Sequence, residues 1–236
     1  MKRRVDLLSC LRCGHQPLER QGPIARCNEC GRAYPLRRPG LIDCLPAAAD
    51  DERRLERLLS PRQWLRLGKE AYTRRLTPPD PDLHETMRSH AGGLLLQIGC
   101  GSGRMLDELA VHPWRLRIGV DRRLAPLLRA HRSPLSGAQC LLVRASPYRI
   151  PLRDKLIDAI VINHLFSVFK DPSAVVFEAV RLLAPAGVLV CRVERRHHEP
   201  LRRLLASAGF AYYRLGDWWV SKRLVAQSEA LAERAR

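Results

Sequence analysis

The chain has 236 residues, 46% of them apolar, enough for one core of roughly 150 residues and a small appended unit, and too apolar for a disordered protein. Its 41 lysines and arginines against 24 acidic residues leave a net charge of +17, which attracts polyanions and points to nucleic acid as a partner. No apolar run approaches the ~18 residues of a membrane span, and the opening MKRRVDLLSC lacks the hydrophobic region of a signal peptide, so the expected location is the cytoplasm, with no membrane partner.

Residues 1–46 are expected to form a zinc ribbon. Cys10-Leu-Arg-Cys13-Gly and Cys27-Asn-Glu-Cys30-Gly are two C-x-x-C-G knuckles separated by 13 residues, a spacing that lets four thiolates close around a zinc ion. A redox role would require a thioredoxin-like strand pattern around one pair, and neither pair has one. So small a unit buries too little to fold unaided, so the metal would be structural. It also carries Arg12, Arg20, Arg26, Arg32, Arg37 and Arg38, residues suited to phosphate, and Arg37 and Arg38 are taken as nucleic-acid contacts. Cys44, Cys100, Cys140 and Cys191 stand in apolar or glycine-rich surroundings and read as small core residues.

Residues 47–93 read as a helical connector. DDERRLERLL places leucines 55, 58 and 59 on one helix face, and SPRQWLRLGKEAYTRRL opens with Ser60 as N-cap, Pro61 at the first helical position and Gln63 after it. TPPDPD, 77–82, ends that helix, and a short helix is expected at 83–90.

From 94 onward strands alternate with helices. Strands are expected near 94–98, 116–120, 139–144, 157–163 and 187–193, with helices near 103–110, 123–131, 172–184 and 198–208. Near-continuous apolar strands such as DAIVIN imply a parallel sheet covered on both faces. AYYRL and WWVSKR are separated only by Gly216-Asp217, so the last pair is an antiparallel hairpin. The expected fold is α/β: a Rossmann-like, mostly parallel seven-stranded sheet over 94–225 with that final hairpin, then a tail at 226–236.

The stretch LLLQIGCGSGRML, 94–106, is an apolar strand, three glycines at alternate positions and a helix start. Such a loop lets backbone N–H groups approach a nucleotide-like cofactor at the carboxyl end of the first strand. A P-loop is excluded because no Gly-Lys-Ser/Thr follows. A dinucleotide pattern would need glycine where Arg104 stands, and a tight structural turn remains the other reading. Asp121, in RIGVD, is placed to hold ribose hydroxyls.

GCGSG, then VD, RIPL, DAIVINHLFSVFKDP, EAVRLLAPAGVLV and the closing hairpin together resemble the class I S-adenosylmethionine-dependent methyltransferases, in the family's order over about 94–223. The resemblance implies a cofactor site of Gln97, Gly99, Cys100, Gly101, Gly103, Asp121, Arg122, Ala145, Ser146 and Asn163. Residues 97–103 would surround the methionine part, 145–147 the adenine, and 163–167 would border the methyl-transfer site. Gln97 and Ser146 depart from it, since the family usually has an acid at the first position and often one near the second. A zinc ribbon before such a domain, and the stretch RASPYRIPL, are similar to bacterial 23S rRNA guanine-N1 methyltransferases, which implies RNA, and ribosomal RNA in particular, as partner.

A ring-nitrogen acceptor benefits from a nearby base, and Asn163 and His164 are the local candidates. Arg123, and Arg195 and Arg196 in the run Arg195-Arg196-His197-His198, follow strand ends and are expected to track a phosphate backbone. A catalytically silent RNA-binding or assembly factor on the same fold is the alternative reading.

Overall fold

The structure, a computed structural model, describes residues 5–45, 80–131 and 139–223. The N-terminal part holds four short strands: β1 (Glu19–Gln21), β2 (Ile24–Arg26), β3 (Ala33–Arg38) and β4 (Leu41–Asp43). From residue 81 follow α1 (Pro81–Arg88), β5 (Leu94–Ile98), α2 (Arg104–Glu108), β6 (Leu116–Asp121), α3 (Leu124–His131) and β7 (Cys140–Arg144). Then come β8 (Ile157–Asn163), α4 (Leu165–Val168), α5 (Pro172–Leu182), β9 (Leu183–Arg192), α6 (His198–Ser207), β10 (Phe210–Leu215) and β11 (Trp218–Arg223).

The expected sheet is present. Its order is β7-β6-β5-β8-β9-β11-β10, parallel from β7 to β9, with β11 antiparallel between β9 and β10. Every residue of β5, β6 and β7 is buried, which is why these strands read as unbroken apolar runs. One face, with Leu94, Leu96, Ile118 and Ile160, packs on Val175 and Val176 of α5 and Leu201 and Leu205 of α6. The other, with Leu95, Val161 and Val190, packs on Leu83, Leu106 and Leu127 of α1 to α3.

The N-terminal unit is not a separate appendage. β4 pairs in parallel with β7 (Leu41↔Leu142, Asp43↔Arg144), so the sheet continues through β3, β2 and β1 to eleven strands. The cysteines read as core residues, Cys44, Cys100, Cys140 and Cys191, are all buried.

Local boundaries differ from the expectation in three places. Helix α1 begins inside TPPDPD, because Asp80 caps it by accepting from Leu83 N–H and Pro81 takes its first turn. Helix α5 stops at Leu182 rather than 184, two residues before the extended Ala184-Pro185 step, and β9 starts at once by pairing Leu183 with Ile157. The single turn α4 was not expected. The helices expected over DDERRLERLL and SPRQWLRLGKEAYTRRL, and the tail at 226–236, lie outside the described residues.

Candidate functional site

Strand β5 delivers the chain into the glycine loop. Gly99, Gly101 and Gly103 all have positive φ, at 75°, 54° and 78°, the left-handed region that side chains disfavour. The amides of Gly99 and Cys100 both donate to Val120 O, at 2.8 and 3.0 Å, tying the loop to the end of β6. A methyl group added at Gly101 would meet nothing within 4 Å, so the loop presents bare backbone to open space there. At Gly99 it would lie 3.0 Å from the Phe169 ring, and at Gly103 2.9 Å from Ala130 Cβ. The three glycines thus answer different needs: openness, contact with the segment after β8, and helix packing.

Asp121 faces this loop. Its Oδ2 accepts from Gly101 N–H at 2.8 Å, and its Oδ1 accepts from the Arg123 backbone N–H at 2.8 Å and from Arg123 Nε at 3.4 Å. Strand register puts Asp121, Gln97 and Asn163 on one face of three adjacent strands, at their carboxyl ends. Gln97, only 5% exposed, has a buried Oε1 without a hydrogen-bond partner, and Asn163 Oδ1 is in the same state. Two buried acceptors beside a carboxylate and a bare loop suit a ligand rich in donors, such as an ammonium group and ribose hydroxyls. S-adenosylmethionine fits that donor set. Burial drives the Cys100 thiol well above its ordinary range, so it is a neutral wall residue and not a nucleophile.

Ala145 N–H donates to Asp121 O, which sets residues 145–150 beside the same crevice. Ser146 is half-buried, and its Oγ accepts from Tyr148 N–H at 3.3 Å. Arg122 is exposed, and its carbonyl accepts from Arg144 Nε.

A second group of side chains gathers at the ends of β8 and β9. His164 has φ 56°, and its carbonyl accepts from Ser167 and Val168 N–H, closing α4. Its Nδ1 lies 3.8 Å from Glu194 Oε1. Glu194 also accepts from Ser167 Oγ at 2.6 Å and lies 2.9 Å from His197 Nδ1. The Ser167 hydroxyl, and after it His197, pull the Glu194 carboxyl down to about 2. Phe166 stacks on His197 with ring centroids 5.0 Å apart. Sequence reading missed Glu194, although it stands immediately before the basic run that was singled out. A lone acid after a strand carries no periodic signal, and only the fold brings it to His164. Arg195 and Arg196 are exposed beside it, in a 3-10 turn.

The four knuckle cysteines converge. Their sulfurs lie within 4.8 Å of one another, with Cys10–Cys30 and Cys13–Cys27 at 3.5 Å each. A tetrahedron of sulfurs about 2.3 Å from a zinc ion has edges of about 3.8 Å, so the cluster fits that metal. Burial alone would raise Cys10, but Tyr34 Oη and nearby backbone N–H groups outweigh it and bring the thiol down to about 6. Cys13, despite a backbone hydrogen bond at His15 that lowers it, is pushed up to about 12 by burial and the other sulfurs. Sulfurs this close could all be thiolates only with a cation among them. The arginines expected to meet nucleic acid divide. Arg38 is exposed, whereas Arg37 donates to buried Asp43 at 3.1 Å and Arg123 is bound to Asp121.

A parallel α/β sheet with a closing hairpin, and a glycine loop facing an acid at the next strand's end, define a nucleoside-cofactor methyltransferase fold. Residues 96–191 match the family described as Methyltransferase domain. That match covers 96 of the 236 residues, and the fold around it is the α/β methyltransferase fold, a mostly parallel sheet closed by an antiparallel hairpin. The fold is shared with a protein described as an S-adenosyl-L-methionine-dependent methyltransferase from Methanococcus maripaludis (TM-score 0.54, 16% identity, 61% of this chain and 84% of that one). It is also shared with a SAM-dependent methyltransferase from Aquifex aeolicus (0.51, 17%, 64% and 95%) and the N-methyltransferase NodS from Bradyrhizobium japonicum (0.50, 19%, 60% and 90%). No curated protein matches the chain. Among the described residues no helix is long and apolar enough to cross a membrane.

Proposed function

We propose that this chain transfers the methyl group of S-adenosylmethionine to a base nitrogen of RNA, ribosomal RNA in the first instance, in the cytoplasm. One observation carries the reading: His164, at the end of β8, lies 3.8 Å from Glu194, and the exposed Arg195 and Arg196 directly follow Glu194 in a chain with net charge +17. The N-terminal arginines support it. Zinc would be held by Cys10, Cys13, Cys27 and Cys30 and would stabilise the ribbon. The proposed boundaries are 1–46 for the ribbon, 47–93 for the connector, 94–225 for the methyltransferase domain and 226–236 for the tail.

When bound, S-adenosylmethionine supplies an electrophilic methyl group on a sulfonium. Gln97 Oε1 and Asn163 Oδ1 would accept from its amino-acid part, and Asp121, with Arg122 beside it, would hold its ribose. Gly99, Cys100 and Gly103 would shape the loop, and Ala145 and Ser146 would lie by the adenine. His164 would take the proton that the acceptor ring nitrogen loses on methylation. Positioning supplies most of the rate, because the leaving thioether is already activated. Arg38, Arg123, Arg195 and Arg196 would follow the RNA backbone, with Arg37 contributing from its exposed half.

The test is incubation of the protein and methyl-labelled S-adenosylmethionine with ribosomal RNA from a strain lacking it, followed by mapping of the label. A methylated base nitrogen is expected. Cofactor binding with label in small molecules only would refute the RNA substrate. No cofactor binding would leave the silent RNA-binding factor, a reading that the neutral Gln97 favours.

A further inference from the structure

We infer that the four-cysteine unit forms part of the wall of the cofactor crevice, and that the buried Asp43–Arg144 ion pair is the positioning link that couples its metal to the cofactor. The inference rests on the reading that residues 145–150 and Asp121 border bound S-adenosylmethionine.

The unit grips both flanks of residues 145–150. On the leading side, β4 lies against β7: Gly40 O accepts from Leu142 N–H at 2.7 Å, and Cys44 N–H donates to Arg144 O at 2.9 Å. Asp43, 2% exposed, accepts from Arg144 Nη1 at 3.2 Å, and the Arg144 side chain is itself only 9% exposed. The same guanidinium donates from Nε to Arg122 O at 3.1 Å. Arg122 directly follows Asp121, whose carboxylate holds Gly101. A line of polar contacts therefore runs from β4 through Arg144 to the turn that carries the ribose acid and to the glycine loop.

On the trailing side, Leu8 bridges to Leu152, Ser9 N–H donates to Pro151 O at 3.1 Å, and Arg153 Nη2 donates to Asp6 O at 2.8 Å. Ser9 immediately precedes Cys10. The metal side of these contacts is equally close. Cys10 Sγ touches Tyr34 Oη of β3 at 3.2 Å, and Arg37 of the same strand donates to Asp43. Ordering the sulfurs around an ion orders Ser9 and β3, and with them both grips on the crevice wall.

The methyltransferase domain holds the trailing side from within as well. Ile150 N–H donates to Glu178 Oε1 at 2.5 Å, and Arg181 donates to the carbonyls of Ile150 and Leu152. The coupling is therefore a tightening of the site and not its creation. A tenfold effect lies inside the usual range of roughly 5–150-fold, and it must be reciprocal.

The full-length, zinc-loaded protein tests this in two ways. Asp43→Asn, which keeps the shape but removes the charge from Arg144, should bind S-adenosylmethionine about tenfold more weakly by calorimetry while retaining the zinc content of the parent. In the unmodified protein, saturating S-adenosylmethionine should slow zinc transfer to a chromophoric chelator about tenfold, a readout that needs no variant and that a purely structural ion pair would leave unmoved. Zinc release indifferent to the cofactor overturns the inference, whatever the folding of the variant. If the unmodified protein binds the cofactor and Asp43→Asn binds it equally well, the ion pair is not the link. If the unmodified protein binds no S-adenosylmethionine at all, the proposed activity fails together with it.

Discussion

Replacing Gly101 with alanine separates the fold from the crevice. The residue sits at φ 54°, where an alanine costs about 1–2 kcal/mol. Its new methyl group would touch no protein atom within 4 Å, so that strain is the whole expected penalty on folding. For a chain of this size it corresponds to a melting temperature lower by roughly 2–8 °C. The methyl group projects into the space where backbone is expected to meet S-adenosylmethionine. Crowding a fitted contact costs about 1–3 kcal/mol, which is a loss of about 5- to 150-fold in affinity. Calorimetric titration with the cofactor, beside a thermal melt, reads both quantities. Gly103→Ala is the contrasting variant: its methyl group would meet Ala130 Cβ at 2.9 Å, so its larger loss falls on stability. Unchanged cofactor affinity in Gly101→Ala would refute the assignment of this loop to the ligand.

Further outcomes follow from the same geometry. Asp121→Ala leaves the Gly101 and Arg123 N–H groups without their acceptor and should lower stability to urea by about 1–3 kcal/mol, with weaker cofactor binding in calorimetry. Elemental analysis should find one zinc per chain, and its removal should abolish amide protection in β1 to β3 while β5 to β8 stay protected. Glu194 should titrate near 2 by NMR, and Ser167→Ala, which removes the largest cause, should move it back towards the ordinary 4.5. Because its folded value is depressed, the stability it contributes is present above 4.5 and is lost as pH falls from there through 2. Replacing Arg195 and Arg196 together by alanine should reduce the slope of log affinity for single-stranded RNA against log salt by about 1.4, and an unchanged slope would remove them from the interface.

Much of this architecture is legible in the residues because its signals are local. Unbroken apolar strands, the alternate glycines and the two-residue break before WWVSKR each depend on neighbours in the chain, and β10 and β11 pair as that break requires, with Leu215 opposite Trp218. What is not legible is pairing across distance. β4 is three residues long, and nothing in Leu-Ile-Asp announces that it will lie beside a strand about a hundred residues away. The same holds for the site. Asp121 is marked by its place at a strand end, whereas Glu194 acquires meaning only when β9 brings it to His164 and Ser167. Arg37 and Arg123 illustrate the converse: arginines that composition assigns to a phosphate backbone are engaged by acids of their own chain.

The continuous sheet also bears on solubility. β7, Cys-Leu-Leu-Val-Arg, is buried along its whole length, and β4 pairs with Leu142, Val143 and Arg144 along its otherwise free side. A chain cut before residue 46 would leave that strand as a bare, apolar margin of unpaired amides and carbonyls, ready to pair with another molecule. Among the described residues the sheet ends on that side at β1 instead, three exposed residues, Glu-Arg-Gln, too short and too charged to recruit a neighbour. Guarding that margin would tie the two parts of the chain together in every cell that makes the protein, before any ligand is bound.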